Sequence, residues 1–571
     1  MLETVTVTMN RVRSIIINNT DTDRFPIESP LIRSAMASTI VQSACEDPES
    51  LFKFLMGTLV AIGITAKVWP HLQSSNWIGS KNKDKCCAIV VDKISPEVAS
   101  LQKRYLPVFY LFRMSFWMSG PYFYQVYSSK TLRHLDGTTS PATSEFVAQV
   151  SLVGYLAIVL LGPMVGRKVD QYGRKTATIC TGAMYALGSL SVFSDITVVL
   201  YLGRAMASIA SSRLTSSPEA WLIQEYLQIQ KKQRDEEKEP DQGGLSETFG
   251  LAYGGDAIVA ILAGQTASIA ASRVGHPTGP FLVSPLFVAA ALLVTVFVWV
   301  ENIGCDQKVN GNKKEAPSEE CSIRAGAKAL FSDPKIFLIG LVQSLFEGSM
   351  YIFVLVWPPV LSNIIRSYFG TTAVTPFGTI FSCFMACCLL GSVLFGQLRK
   401  KSVNVKYVMT GILLVSTMSF FGSIRAVQAD NLFGVLSTFF AFEACVGMYF
   451  PSIGIIRAAL LPESHRLAIT TLFAVPLNVL VVGVISFQPT LGNVGSLTVA
   501  GIAMSAAAMC MVLLERRMHK EKMDKLDSDV AAAVRVFTAA RKWKASTCSA
   551  SSVPSLKRVS LNSDDGEDPD F

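Results

Sequence analysis

Several ionisable side chains lie inside long apolar segments of this chain, and their spacing puts them on defined helix faces. At about 100° per residue, Arg204, Ser208, Ser211, Thr215 and Glu219 share one face of the segment 197–224, running from cation to anion. Glu443, Gly447, Phe450, Gly454 and Arg457 share a face of 431–459 in the opposite order. Gln343, Glu347 and Tyr351 recur at i, i+4 and i+8 within 335–361, and Arg113, Trp117, Gly120 and Tyr124 line one side of 105–127. Asp256 stands inside 247–272. A charge at mid-bilayer costs about 2.5–3.5 kcal/mol on insertion scales, so each of these groups is a candidate for function. Arg113, Arg204, Ser208, Ser211, Thr215 and Gln343 have the donors an anion needs. Glu219, Glu347, Glu443 and Asp256 would repel an anion, and fit proton carriage or the balancing of arginines. For Arg204 and Arg457 the structural role stands equally open: buried Arg and Glu on neighbouring helices pair to neutralise each other.

The elements that hold these residues are of membrane length. Half of the 571 residues are hydrophobic and 16% are charged, against about 25% for a soluble chain; mean hydropathy is +0.39. The apolar residues come in blocks long enough to cross a hydrocarbon core of roughly 30 Å. A leading segment, 51–70, precedes twelve spans at 105–127, 146–166, 176–193, 197–224, 247–272, 280–300, 335–361, 374–398, 404–424, 431–459, 466–488 and 495–514. The expected organisation is a polar segment 1–50, an extra transmembrane helix 51–70, a six-helix repeat over 105–300, a central loop 301–334, a second six-helix repeat over 335–514 and a tail 515–571. Loops on the side of 166–175 hold about 26 Lys and Arg, and those on the other side about 5, which makes the first side cytoplasmic and places 1–50 opposite. The tail reads as an amphipathic helix followed by a Ser-rich, acid-tipped end.

The ten residues from Gly166 to Lys175 narrow the class. Gly166, Asp170, Gly173, Arg174 and Lys175, with Arg167 between them, resemble the loop between helices 2 and 3 of major facilitator superfamily transporters; Gln171 stands where that pattern has a cation. The resemblance implies an all-α membrane protein of the major facilitator fold, two six-helix repeats with twelve transmembrane helices, plus one extra N-terminal apolar helix. It makes Gly166, Arg167, Asp170, Gly173 and Arg174 a conformational latch, and it brings spans 1, 4, 7 and 10 around a central cavity. On helical phase, Arg113, Arg204, Glu219, Glu347 and Glu443 are expected to converge there.

Further pieces are similar to the molybdate-anion transporter family of that superfamily: Ser217-Pro218-Glu219-Ala220-Trp221, Ser344-Leu345-Phe346-Glu347, Phe353 to Leu361, Phe442 to Ser452, Val475-Pro476-Leu477-Asn478 and Trp299-Val300-Glu301-Asn302. Together they span about 105–490. The resemblance implies import of a small inorganic oxyanion, with molybdate as the expected substrate; the membrane carboxylates add protons as a candidate coupling partner, and a plasma membrane is favoured over an internal one, with the coupling ion and the membrane left open. The chain departs from the family's pattern at Phe116, Pro218 and Ala474; the last removes a span 11 cation, so either the substrate differs or Arg113 supplies that charge. A carrier for sulfate, a carboxylate or an uncharged metabolite is the first alternative, and a transporter-like receptor that moves nothing is the second. The five His and twelve Cys show no ligand spacing, and no nucleotide loop or nucleophile motif is present. No metal, cofactor, enzymatic activity or nucleic-acid partner is therefore expected, and the +8 net charge reads as membrane topology.

Overall fold

The computed structural model describes residues 47–75, 95–236, 243–302, 319–462 and 466–547. Helix α1 (Pro48–Ser75) is followed by α2 (Pro96–Ser119), α3 (Phe123–Ser128), α4 (Ser144–Tyr172), α5 (Arg174–Leu190), α6 (Thr197–Arg213), α7 (Ser216–Asp235), α8 (Gly244–Val274) and α9 (Gly279–Val298). The second half contains α10 (Glu319–Ser332), α11 (Pro334–Phe369), α12 (Phe377–Lys400), α13 (Val405–Gln428), α14 (Leu432–Leu460) and α15 (Arg466–Thr547). Among the described residues ten helices are long and apolar enough to cross a membrane. Helix α15 counts once there although Gly492 (φ 60°, ψ −173°) breaks it into two spans. Helix α2, with Lys103, Arg104 and Arg113, and the divided pair α6–α7 fall outside that count.

The helix ends follow from local chemistry. Lipid offers the backbone no partners, so a span must satisfy its own polar groups and change direction only at its ends. Ser95 before Pro96, Thr143, Asp333 before Pro334, Asn404 and Asn431 each accept a backbone N–H in the first turn of a span. The turn expected over Gly166–Lys175 is shorter than the sequence reading: α4 runs on to Tyr172, and Gly173 alone, at φ 94°, separates it from α5. A left-handed φ of this kind suits glycine. Span 4 is broken, not continuous. Pro218 has no N–H to give the Leu214 carbonyl, so the helix stops at Arg213 and restarts at Ser216. An antiparallel hairpin, β1 (Thr131–Arg133) with β2 (Thr139–Pro141), adds the one sheet among the described residues, between α3 and α4.

Small residues set the closest helix crossings, as expected where lipid removes any hydrophobic drive between helices. On α12 and α14, a Cβ at Gly391 would run into the Ala444 carbonyl and one at Gly447 into that of Cys388. Ser392 Oγ donates to the Gly447 carbonyl at 2.9 Å across the same crossing. Aromatic rings fill the rest of the second half: Phe346 stacks on Tyr449 at 3.7 Å, and Phe353 meets Phe439 edge-on at 4.9 Å.

Described side chains join the two halves at several places. Span 5 touches span 8 through Gln265 and Ser382 (3.0 Å) and through Ser382 and the Ile261 carbonyl (2.8 Å). Leu477, Val481 and Ile485 pack on Ala148, Leu152 and Tyr155. Trp117 reaches Phe381, and Tyr122 reaches Phe377. Among the described side chains, these contacts lie in the half of the bundle nearest the hairpin. Helix α1 runs beside α12 in the same direction: Cys383 Sγ lies 3.4 Å from the Phe52 carbonyl, and Gln397 Nε2 donates to that of Ala66 at 3.2 Å. Residues 1–46 and the end of the tail, 548–571, lie outside the described residues.

Candidate functional site

Arg113 is fixed by a carboxylate. Its Nε and Nη2 donate to the two oxygens of Asp256 at 2.7 and 2.6 Å, a fork-to-fork pair between spans 1 and 5. Trp117 Nε1 donates to the same Asp256 at 2.9 Å, and the Arg113 guanidinium lies 4.6 Å from the Trp117 ring. Arg113 Nη1 also reaches Thr215 Oγ1 at 3.4 Å, at the break in span 4. One turn on, the Tyr253 hydroxyl donates to Glu219. Asp256 is thus the ion-pair partner of Arg113.

Arg204 is different. It has no carboxylate partner among the described residues, and its buried Nε has no hydrogen bond. The guanidinium lies over the Phe123 ring at 4.4 Å. It fits there because residue 154 on span 2 is glycine: a Cβ at that position would stand 2.8 Å from Arg204 Nε and 2.5 Å from Ser208 Oγ. Ser208 is buried, and Tyr155 and Tyr185 feel the charge of Arg204. Tyr155 also meets Tyr351 of span 7 edge-on at 6.1 Å, so the Arg204 region borders the second half of the molecule. Ser211, placed on the same stripe by sequence, turns its hydroxyl back to the Ser208 carbonyl at 2.8 Å.

The carboxylates of the second half do not join this group. Glu347 accepts from Tyr449 at 3.2 Å, and Gln343 accepts from Arg457 Nη1 at 3.2 Å, both across spans 7 and 10. Glu443 is 5% exposed and has no hydrogen-bond or ion-pair partner among the described residues; Cys387 and Cys388 of α12 lie beside it. Among the described residues no hydrogen bond or ion pair joins Arg113, Arg204, Glu219, Glu347 and Glu443 directly to one another; Arg113 is held by Asp256, Glu219 by Tyr253 and Glu347 by Tyr449. Gly447, read from sequence as a cavity-lining residue, faces the α12 backbone, and that turns Glu443 into the α12–α14 contact. Gly154, Tyr253 and Tyr449 were not singled out by sequence reasoning. Gly154 alone carries a signal, as a glycine among large apolar residues in mid-span.

At the loop end, the side chains of Gly166, Arg167 and Asp170 lie outside the described residues. The rest forms a clip. Glu301 accepts from the backbone N–H groups of Lys175 and Thr176, both at 2.9 Å, and from Thr176 Oγ1 at 2.6 Å, which caps α5 from 125 residues away. Arg174 donates to Gln224 at 3.0 Å. Trp221 and Trp299 stack at 3.9 Å, and Asn302 donates to Glu225 at 3.1 Å.

Paired six-span halves around a charged interior define a transporter of the major facilitator class. The chain belongs to the family whose model is described as sugar transporters with twelve transmembrane segments, matched over residues 80–448. It is also similar to molybdate-anion transporters. That of Xenopus tropicalis is 29% identical over 412 residues, covering 70% of this chain and 82% of the relative. That of Takifugu rubripes is 27% identical over 415 residues, covering 68% and 79%. A D-xylose–proton symporter shares the fold with a TM-score of 0.54 at 12% identity, over 73% of this chain and 97% of that one. The POT family transporter PepTSo does so at 0.53 and 10%, over 74% and 98%.

Proposed function

We propose that this chain imports an inorganic oxyanion, molybdate first among them, by alternating access across the plasma membrane. The observation that carries the reading is Arg204, a guanidinium inside the bundle with no carboxylate partner among the described residues. A desolvated cation of this kind is costly unless an anion visits it. Ser208 supplies a donor beside it, and the relatives' names point to the same substrate class. Arg113, Thr215, Ser211 and Gln343 form a second layer that the substrate meets on its way. Glu347 and Glu443 carry protons, Glu219 and Asp256 balance charge, and the segment from Gly166 to Arg174 latches the two repeats.

The test is uptake of radiolabelled molybdate into vesicles holding the purified protein, with and without a pH gradient, and with unlabelled sulfate as competitor. Arg204→Gln should raise the Km about 10- to 150-fold, since a hydrogen bond to a charged group is worth about 1.5–3 kcal/mol. An unchanged Km at wild-type protein levels would overturn the assignment. Full competition by sulfate would widen the substrate to tetrahedral dianions and leave the site in place.

A further inference from the structure

We propose that the tail of α15 binds a second copy of this chain as a parallel two-stranded coiled coil. From Asn493 the helix continues without a break through the last span to Thr547; its one non-helical residue is Gly492. The bundle holds it as far as Leu514 and Met518, and Lys335 grips Glu521 at 2.7 Å. From Lys522 to Thr538 every residue is exposed. That stretch is not uniformly polar. Met523, Leu526, Val530, Val534 and Phe537 follow at steps of three, four, four and three, and they are 43% to 73% exposed. Such steps keep apolar residues on one stripe with the short repeat of a coiled-coil seam.

The position of the stripe decides among occupants. At about 1.5 Å per residue, Met523 stands roughly 13 Å beyond Leu514 and Phe537 roughly 35 Å beyond it. Headgroups add only about 5–8 Å to each face of the hydrocarbon core, so a straight helix carries the stripe clear of the bilayer. A second copy meets the geometry without adjustment. Two copies in one membrane have the same orientation, so their tails leave side by side, parallel and in register. In a parallel pair, the residue just before one core position faces the residue five places on in the partner. Lys522 flanks Met523 and Asp527 flanks Leu526, so each Lys522 meets an Asp527 of the other copy, and an attractive pair forms on both edges. A seam of this length is marginal for free peptides. Anchoring in a common plane raises the effective concentration and offsets that weakness.

The test uses full-length protein carrying two different tags, co-expressed and purified through one of them. Wild type should bring down the second tag. Val530→Lys combined with Phe537→Lys should cut the recovered partner at least tenfold while the protein stays monodisperse, since both residues are exposed. Lys522→Asp should cut it similarly, and adding Asp527→Lys should restore it, because the exchange rebuilds the cross-pair with its signs reversed. Loss of association in Lys522→Asp without rescue in the double variant overturns the parallel register. A wild-type protein recovered only as single copies overturns the proposal, and points to the tail folding onto its own chain or onto lipid. Association unaffected by all these changes places the contact elsewhere and overturns it too.

Discussion

Removing either partner of the Arg113–Asp256 pair separates a structural ion pair from a substrate ligand. The two short hydrogen bonds, at 2.6 and 2.7 Å, join side chains that are 16% and 13% exposed. Breaking a buried pair by deleting one member costs about 3–5 kcal/mol; with this residual exposure, we take about 2–4. The two deletions are not equivalent. In Arg113→Gln the remaining carboxylate keeps its bond from Trp117 Nε1 at 2.9 Å, and it can take up a proton. In Asp256→Asn the remaining guanidinium cannot lose its charge. Asp256→Asn should therefore be the more damaging, and the double variant should return close to wild type. For a lobe of some 200 residues, about 2–4 °C per kcal/mol gives a drop of about 5–15 °C in the thermal midpoint for Asp256→Asn. The assay is thermal unfolding of the four detergent-purified proteins, with the coupling energy read from the cycle. Single variants as stable as wild type, combined with a raised Km for Arg113→Gln alone, would refute this reasoning and make Arg113 a direct anion ligand.

Three further outcomes follow from the same geometry. Gly154→Ala should raise the Km at unchanged expression, because its Cβ would stand 2.8 Å from Arg204 Nε; uptake kinetics check it. Glu301→Ala should lower the stability of the first six-span half by about 1–2 kcal/mol, as loss of a helix cap does, and show as an earlier onset in thermal unfolding. Glu347→Gln should abolish pH-driven uptake while anion exchange continues, and equal loss of both modes would remove it from proton coupling.

How far the sequence could be read depended on the distance over which each feature is decided. Spans end where Ser95, Asp333, Asn404 and Asn431 cap a helix, and such signals lie within a few residues of the boundary. Helical phase gives a face but not what that face meets. The partners Arg113 and Asp256 are 143 residues apart, and Glu301 lies 126 from Lys175, so neither contact has a local signature. Gly447 shows the same ambiguity: a glycine widens a cavity or admits a neighbouring backbone, and only the packing of α12 decides. Pro218 was visible as a departure from the family pattern, and its physical effect, the missing donor to Leu214, was readable from spacing alone.

The contact between α1 and α12 also bears on how the chain is made. Phe52 and Cys383, like Ala66 and Gln397, are separated by 331 residues. At about 5–20 residues per second, roughly 15 to 65 seconds of synthesis separate the emergence of α1 from that of the helix it rests on. During that interval α1 lacks the helix on which it comes to rest. Phe52, buried in the finished molecule, is then covered by lipid or by the insertion machinery. Helix α1 is thus made well before the neighbour it packs on, and their contact closes late in assembly.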